Sequence, residues 1–265
     1  MTGKKLILII FIFLSCFAYS QTDENYKLSE ISLGFGDVKY SNSYFIPSGL
    51  PGNGYSIRYA NIQNKMNSQT IFSVKLNHNQ LINNEFINQI SYYPFHFSEL
   101  NFNICRSRKI PTPISNLRFF VGAGLSLSGN FLYTKYLDKP KANGYWKTSA
   151  DLYSNISKSF HAFEFQYQMR FPVITTGFYL EYQNFFFSVN LDDNLKYYAL
   201  PNFLTSFTRY TEIENNFSLF YSLKFKKSFK IKLNYEFTYL HTNIHNNLIR
   251  KKINELSIGL IILNQ

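Results

Sequence analysis

The sequence predicts an all-β protein: an antiparallel, up-and-down transmembrane β-barrel, closed, with ten strands and twelve as the alternative count. Three observations predict it. Apolar and polar residues alternate with period two in segment after segment. The apolar side of that alternation is unusually aromatic, with 28 Phe and 21 Tyr in 265 residues. No segment after residue 21 sustains a helical 3.6-residue period. A soluble β-sandwich also alternates, but its strands run about five or six residues. Most segments here reach the roughly 9–11 residues that a tilted strand needs to cross a bilayer. An open sheet would leave edge amides unpaired in hydrocarbon, so membrane-crossing strands must close into a barrel.

The first element is not part of the fold. Lys4 and Lys5 precede the apolar run LILIIFIFL (6–14), and Ala18-Tyr19-Ser20 places small residues before Gln21. That is the anatomy of a secretory signal peptide over 1–20, too short to span a membrane. The barrel domain is then 21–265. Cys16 offers a second reading, lipidation, but Phe13 is a poor residue three positions before a lipoprotein cysteine. Cleavage before Gln21 leaves Cys105 as the one mature cysteine, so no intramolecular disulfide forms. The formal charge of +11 loses two lysines with the leader. An exported basic chain meets anionic lipid head groups and lipopolysaccharide phosphates rather than nucleic acid.

Ten alternating segments follow. Ile31, Leu33 and Phe35 oppose Glu30, Ser32, Gly34 and Gly36. Tyr55, Ile57 and Tyr59 oppose Ser56 and Arg58. Phe72, Val74 and Leu76 oppose Ser73, Lys75 and Asn77. Segment 88–106 keeps Leu100, Phe102 and Ile104 on one parity across Pro94. Leu117 to Leu127 face away from Arg118, Gly122 and Gly124. Ala150, Leu152 and Ile156 oppose Asp151, Tyr153 and Asn155, and Phe163 to Met169 oppose Glu164, Gln166, Gln168 and Arg170. Residues 217–225 and 229–239 supply two more, and Leu256 to Ile262 the last. The odd-numbered connections (38–53, 78–87, 131–146, 171–215, 242–250) mostly run longer than the even-numbered ones (63–68, 107–116, 158–159, 226–228). Bacterial barrels show that asymmetry, with long outer loops and short periplasmic turns. Segment 171–215 is long enough to hold two further strands or a loop or plug at the barrel mouth.

The AYSQ cleavage region, the strand FVGAGLSLSG, the Tyr- and Asn-rich loops and the stretch beginning FEFQYQMRFPVI resemble uncharacterised outer-membrane β-barrel proteins of the Bacteroidota. The resemblance covers most of the mature chain and implies an outer-membrane location and handling by the barrel-assembly machinery. It carries no catalytic motif. One departure is the final run Ile261-Ile262-Leu263-Asn264-Gln265, which lacks the terminal Phe or Trp common in such barrels.

Chemistry is sparse. The inward parity carries Arg58, Lys75, Arg118, Lys147, Arg170, Lys224, Lys230 and Lys232, with Glu30, Glu99, Asp151, Glu164, Glu236 and Glu255. That mixture makes no single-sign selectivity ring. A barrel of ten or twelve strands lies nearer the side-chain-filled end of the size range than the aqueous porins. His241 and His245 have i, i+4 spacing but fall at a strand end, where the helical reason for that spacing disappears. His96-Phe97-Ser98 is similar to the His-x-Ser pairing of outer-membrane lipid hydrolases, placed here in the inner half of the barrel with no orienting acid. Asp192, Asp193 and His241 could meet at an outer rim as in omptin-like proteases. No cofactor or metal is expected. The leading function is a porin-like or structural barrel, including a narrow conduit for small solutes or lipids. A lipid- or peptide-hydrolysing enzyme is the alternative, and a surface adhesin or assembly partner a third.

Overall fold

The computed structural model describes residues 25–42, 46–81, 95–136, 139–180, 203–206, 210–223, 229–244 and 247–264. These form eleven strands: β1 Tyr26–Asn42, β2 Ile46–Lys65, β3 Ser68–Leu81, β4 Phe95–Ile110, β5 Leu117–Tyr136, β6 Lys139–Phe160, β7 Phe163–Leu180, β8 Phe203–Ser206, β9 Tyr210–Ser222, β10 Phe229–Ile244 and β11 Asn247–Asn264. Hydrogen-bonded neighbours run β6-β5-β4-β3-β2-β1-β11-β10-β9-β7, and β6 pairs with β7 to close the ring. Every pairing is antiparallel, and ten strands make the wall. β8 pairs with Ile174–Gly177, on the edge of β7 that β9 occupies at Phe163–Arg170. It therefore extends that edge without adding a stave, and the count of twelve does not arise.

Strand tilt can be read from the register. One hydrogen-bonded row from Leu33 passes Ile57, Leu76, Leu100, Gly129 and Trp146 to Phe178 on β7. In the other direction the row passes Ile258, Leu233 and Leu219 and meets β7 at Phe165. That stagger is the shear of a strongly tilted barrel, about 35–45°. Twenty tilted residues rise roughly 50 Å, about twice the ~25 Å apolar band of such barrels. One end of the barrel carries residues 25 and 264 with the tight turns at Met66-Asn67 and His161-Ala162; it is the terminal end, and the opposite one is the distal end.

Alternation sorts the faces. Leu33, Phe35, Leu256 and Ile258 are 58%, 66%, 56% and 60% exposed, while their strand neighbours Ser32, Glu255 and Ser257 are buried. Exposed apolar side chains recur on every stave, among them Ile57, Leu76, Ile104, Leu125, Leu152, Phe165, Phe217 and Leu233. A continuous belt of this size has one fitting solvent, hydrocarbon.

The strands are longer than the alternation suggested. β1 runs to Asn42 and β2 starts at Ile46, so most of 38–53 is wall rather than loop. Likewise β5 ends at Tyr136 with β6 starting at Lys139, and β10 ends at Ile244 with β11 starting at Asn247. The expected long–short asymmetry of connections does not hold at these three places. Beyond the apolar belt both faces carry polar and apolar residues alike, so the period-two signal vanishes while the ladder continues. Segment 171–215 is wall at its two ends, since β7 reaches Leu180 and β9 begins at Tyr210; residues 181–202 and 207–209 lie outside the described residues. β4 begins at Phe95, after Pro94, and β9 runs Tyr210–Ser222, opening seven residues before the expected 217–225 span. Residues 1–24, with the leader and Cys16, also lie outside the described residues.

Candidate functional site: the filled interior and the outward wall

The interior is layered. At mid-height charged side chains reach across the bore. Lys75 on β3 meets Glu236 on β10 at 2.7 Å and Glu255 on β11 at 3.0 Å. Lys251 on β11 meets Glu99 on β4 at 2.6 Å, and Lys232 on β10 meets Glu30 on β1 at 2.9 Å. Lys147 on β6 reaches past β7 to Glu212 on β9. Arg170 binds Asp151 at 3.2 Å and Glu214 at 2.8 Å. Strands β3 and β10 are not neighbours, nor are β4 and β11; these pairs therefore brace opposite walls instead of lacing adjacent ones. Gly34 makes room for one of them. A Cβ there would fall 2.4 Å from Glu255 Oε1, the carboxylate that also accepts from Ser56 Oγ at 2.8 Å.

Toward the distal end the inward positions turn apolar. Among the described side chains, Val38, Tyr40, Leu50, Leu81, Phe97, Leu132, Tyr145, Tyr210, Leu240, Ile249 and Ile253 form one buried cluster drawn from nine of the ten staves. Toward the terminal end Leu28, Ile62, Ile71, Tyr153, Phe220 and Ile261 form a second, with Cys105 packed against it. Cations join the layers: Lys251 Nζ lies 6.0 Å from the Phe97 ring centroid, Lys147 Nζ 5.0 Å from Tyr210, and Lys232 Nζ 5.6 Å from Phe220. Each ammonium thus finds a carboxylate on one side and a ring face on the other, which offsets part of its desolvation. A cavity in the ionic layer, lined by Arg58, Lys75, Arg170 and Glu236 among others, is about 20 Å³, room for about one water molecule. Asn77 and Asn103 line it, and each keeps a buried side-chain oxygen without a protein partner.

Of the inward candidates read from sequence, the structure gathers Arg58, Lys75, Asp151, Arg170, Lys232 and Glu236 into the ionic layer. Arg118, Glu164 and Lys230 form a separate group near the terminal end, with Glu164 2.5 Å from Arg118 and 3.3 Å from Lys230; Arg118 also donates to Tyr26 OH at 3.0 Å. Lys224 lies outside the described residues. Sequence reasoning missed Glu212 and Glu214, because residues 210–215 were read as part of a loop. It also missed the apolar clusters. Their members lie scattered along the polar parity of different strands, and only the shear brings them to one level.

The His-x-Ser reading needs correcting. β4 starts at Phe95 and runs toward the terminal end, so His96 and Ser98 lie near the distal end, on the outward face, not in the inner half of the barrel. Ser98 Oγ is bonded not by His96 but by His78 Nδ1, at 2.9 Å. His78 stacks on His96 at 5.6 Å, and His96 on Tyr133 at 4.8 Å. Such a belt of rings at the edge of the apolar wall is an interfacial girdle. His241 faces outward on β10, while His245, Asp192 and Asp193 lie outside the described residues. Among the described residues no three His, Cys, Asp or Glu side chains converge on a metal position.

No protein-family model matches the chain, and no curated protein matches it. Among solved structures, the outer membrane protease OmpT from Escherichia coli superposes with a TM-score of 0.52 at 11% identity, covering 94% of this chain and 100% of that one. The transport unit of the autotransporter AIDA-I from Escherichia coli gives 0.46 at 7% identity, covering 96% of each chain. Neisserial surface protein A gives 0.35 at 11% identity, over 88% of this chain and 96% of that one. At 11% identity the likeness to the protease is one of fold: the chain has the closed antiparallel barrel of outer-membrane proteins.

Proposed function

We propose that the chain is an outer-membrane β-barrel, exported by a leader over 1–20, whose filled interior makes it a structural barrel rather than a porin. The observation that carries this is the layering: two apolar clusters enclose an ionic layer whose salt bridges span the bore. A solute crossing it would have to separate buried ion pairs and part a packed aromatic cluster at each end. Function then resides on the outward wall and the distal rim. Planar-bilayer recording of the refolded barrel tests the reading. Silence is the expected result, and discrete conductance steps overturn it in favour of a conduit.

A second reading, a lipid-hydrolysing enzyme, rests on one contact, the 2.9 Å approach of His78 Nδ1 to Ser98 Oγ on the outward wall. A histidine so placed can accept a serine proton as the hydroxyl attacks an ester carbonyl. The backbone amides beside Ser98 are committed to the β3–β4 and β4–β5 ladders, so oxyanion donors must come from elsewhere. A fluorophosphonate probe decides between the two: labelling at Ser98, lost in Ser98→Ala, would favour hydrolysis.

A further inference from the structure

We propose that Lys39, Lys252 and Arg250 form a binding site on the outward wall for the phosphorylated lipid anchor of lipopolysaccharide. The ladder places the three together. Lys39 on β1 is the direct cross-strand partner of Lys252 on β11, and Arg250, two residues further toward the distal end, pairs with Ser41. All three side chains are exposed. Like charges directly opposite each other in a sheet repel. Among the described residues none of the three makes an ion pair. The nearest carboxylate on this face, Asp37, is one row below, and its Oδ2 already accepts a bond from Asn254 Nδ2 at 2.7 Å. A protein that places Lys against Lys without a carboxylate between them leaves the counter-charge to come from outside.

The wall beneath identifies the source. Below Asp37 and Asn254 the next outward row is Phe35 and Leu256, followed by Leu33 and Ile258, all exposed and all in the apolar belt. Tyr235 OH donates to Asn254 Oδ1 at 3.2 Å, and Lys252 Nζ lies 5.7 Å from the Phe237 ring centroid. The cations thus stand two rows above a face already suited to acyl chains, at the height of a lipid's phosphates. An amphiphile with more than one phosphate and several chains satisfies both halves of the surface at once. A soluble anion would use only the cations. The proposal rests on the outer-membrane reading, with the distal end outward.

The test uses the refolded full barrel in detergent. Purified lipopolysaccharide, its enzymatically dephosphorylated form and phosphatidylglycerol are titrated against wild type, with thermal unfolding and native mass spectrometry as readouts. The same titrations follow for Lys39→Gln/Lys252→Gln/Arg250→Gln and for a charge-matched control, Lys65→Gln/Arg106→Gln/Arg108→Gln, whose exposed cations lie nearer the terminal end. Lipopolysaccharide is expected to bind wild type and the control equally, and the distal triple variant at least tenfold more weakly. Removing the opposed lysines should leave the melting temperature in plain detergent unchanged or raised, which shows that the variant folds. Equal binding by the distal variant, equal binding of the dephosphorylated lipid, or equal binding of phosphatidylglycerol each overturns the proposal. Orientation is read separately by labelling Lys39→Cys in intact cells with a membrane-impermeant maleimide. Labelling supports the outward placement. Labelling only after permeabilisation overturns that placement and the proposal with it, whereas labelled cells with unaltered lipid binding overturn the lipid site alone.

Discussion

Replacing Lys251 by Met breaks the pair that spans the bore from β11 to β4. Lys251 and Glu99 are 2.6 Å apart, with side chains only 1% and 2% exposed. At a solvated surface such a pair contributes about 0–1 kcal/mol. Buried this deeply, the loss of one partner strands the other charge, at a cost of about 3–5 kcal/mol. Among the described residues Glu99 would then keep the weak amide contact from Asn77 Nδ2 at 3.4 Å. The folding constant should therefore fall by two to three and a half powers of ten, at about 1.4 kcal/mol per decade. Removing both charges, as Lys251→Met/Glu99→Leu, eliminates the stranded ion and should recover much of that loss. The double variant should come back to within roughly 1–2 kcal/mol of wild type. Reversible denaturant unfolding from lipid vesicles measures both, with the fluorescence of the single Trp, Trp146, on the exposed outward face as reporter. A single variant within about 0.5 kcal/mol of wild type would refute the buried ionic layer. So would a double variant no better than the single one, since the cycle would then show no coupling.

Leu33→Arg separates lipid from water as the outward solvent. Leu33 is 58% exposed, so in a soluble protein the change would be nearly neutral, whereas at mid-bilayer it should cost about 2–4 kcal/mol in the same unfolding assay. Gly34→Val should displace the Glu255 carboxylate from Lys75 and Ser56, destabilising the barrel by about 1–3 kcal/mol; a neutral result would mean that Glu255 has another place to go. Phe97 is fully buried in the distal cluster, 5.1 Å from the Tyr40 ring centroid and beneath Lys251, so Phe97→Ala should cost about 3–5 kcal/mol, again by denaturant midpoint.

How much of this was legible beforehand differs from residue to residue. The facing of Ile31, Leu33 and Phe35 against Glu30 and Ser32 follows from pleat geometry, since successive side chains in a strand must point to opposite faces. The same rule, applied to a run as regular as Phe229 to Tyr239, requires one apolar and one polar environment, and a chain of such runs closes because hydrocarbon leaves no edge unpaired. That much needs only neighbours two residues apart. The extent of the strands was not legible, because alternation reports solvent contrast and fades at Val38–Asn42 or Phe131–Tyr136 while hydrogen bonding continues. The His78–Ser98 contact escaped notice because the sequence shows His96 two residues from Ser98, but residues two apart on one strand are farther from each other than direct partners across the ladder.

The sequence by itself determined that the chain is a membrane barrel and which side chains face inward, because both follow from a local period of two. Only the tertiary structure decided which charged side chains meet across the interior. Lys75 meets Glu236 across 161 residues, and Lys251 meets Glu99 across 152. No local pattern encodes those encounters; they depend on the strand number and shear that set which inward positions share a level. The same shear gathers isolated inward residues such as Val38, Leu81 and Leu240 into one apolar cluster, because inward positions from nearly every stave converge on a bore too narrow to leave them apart.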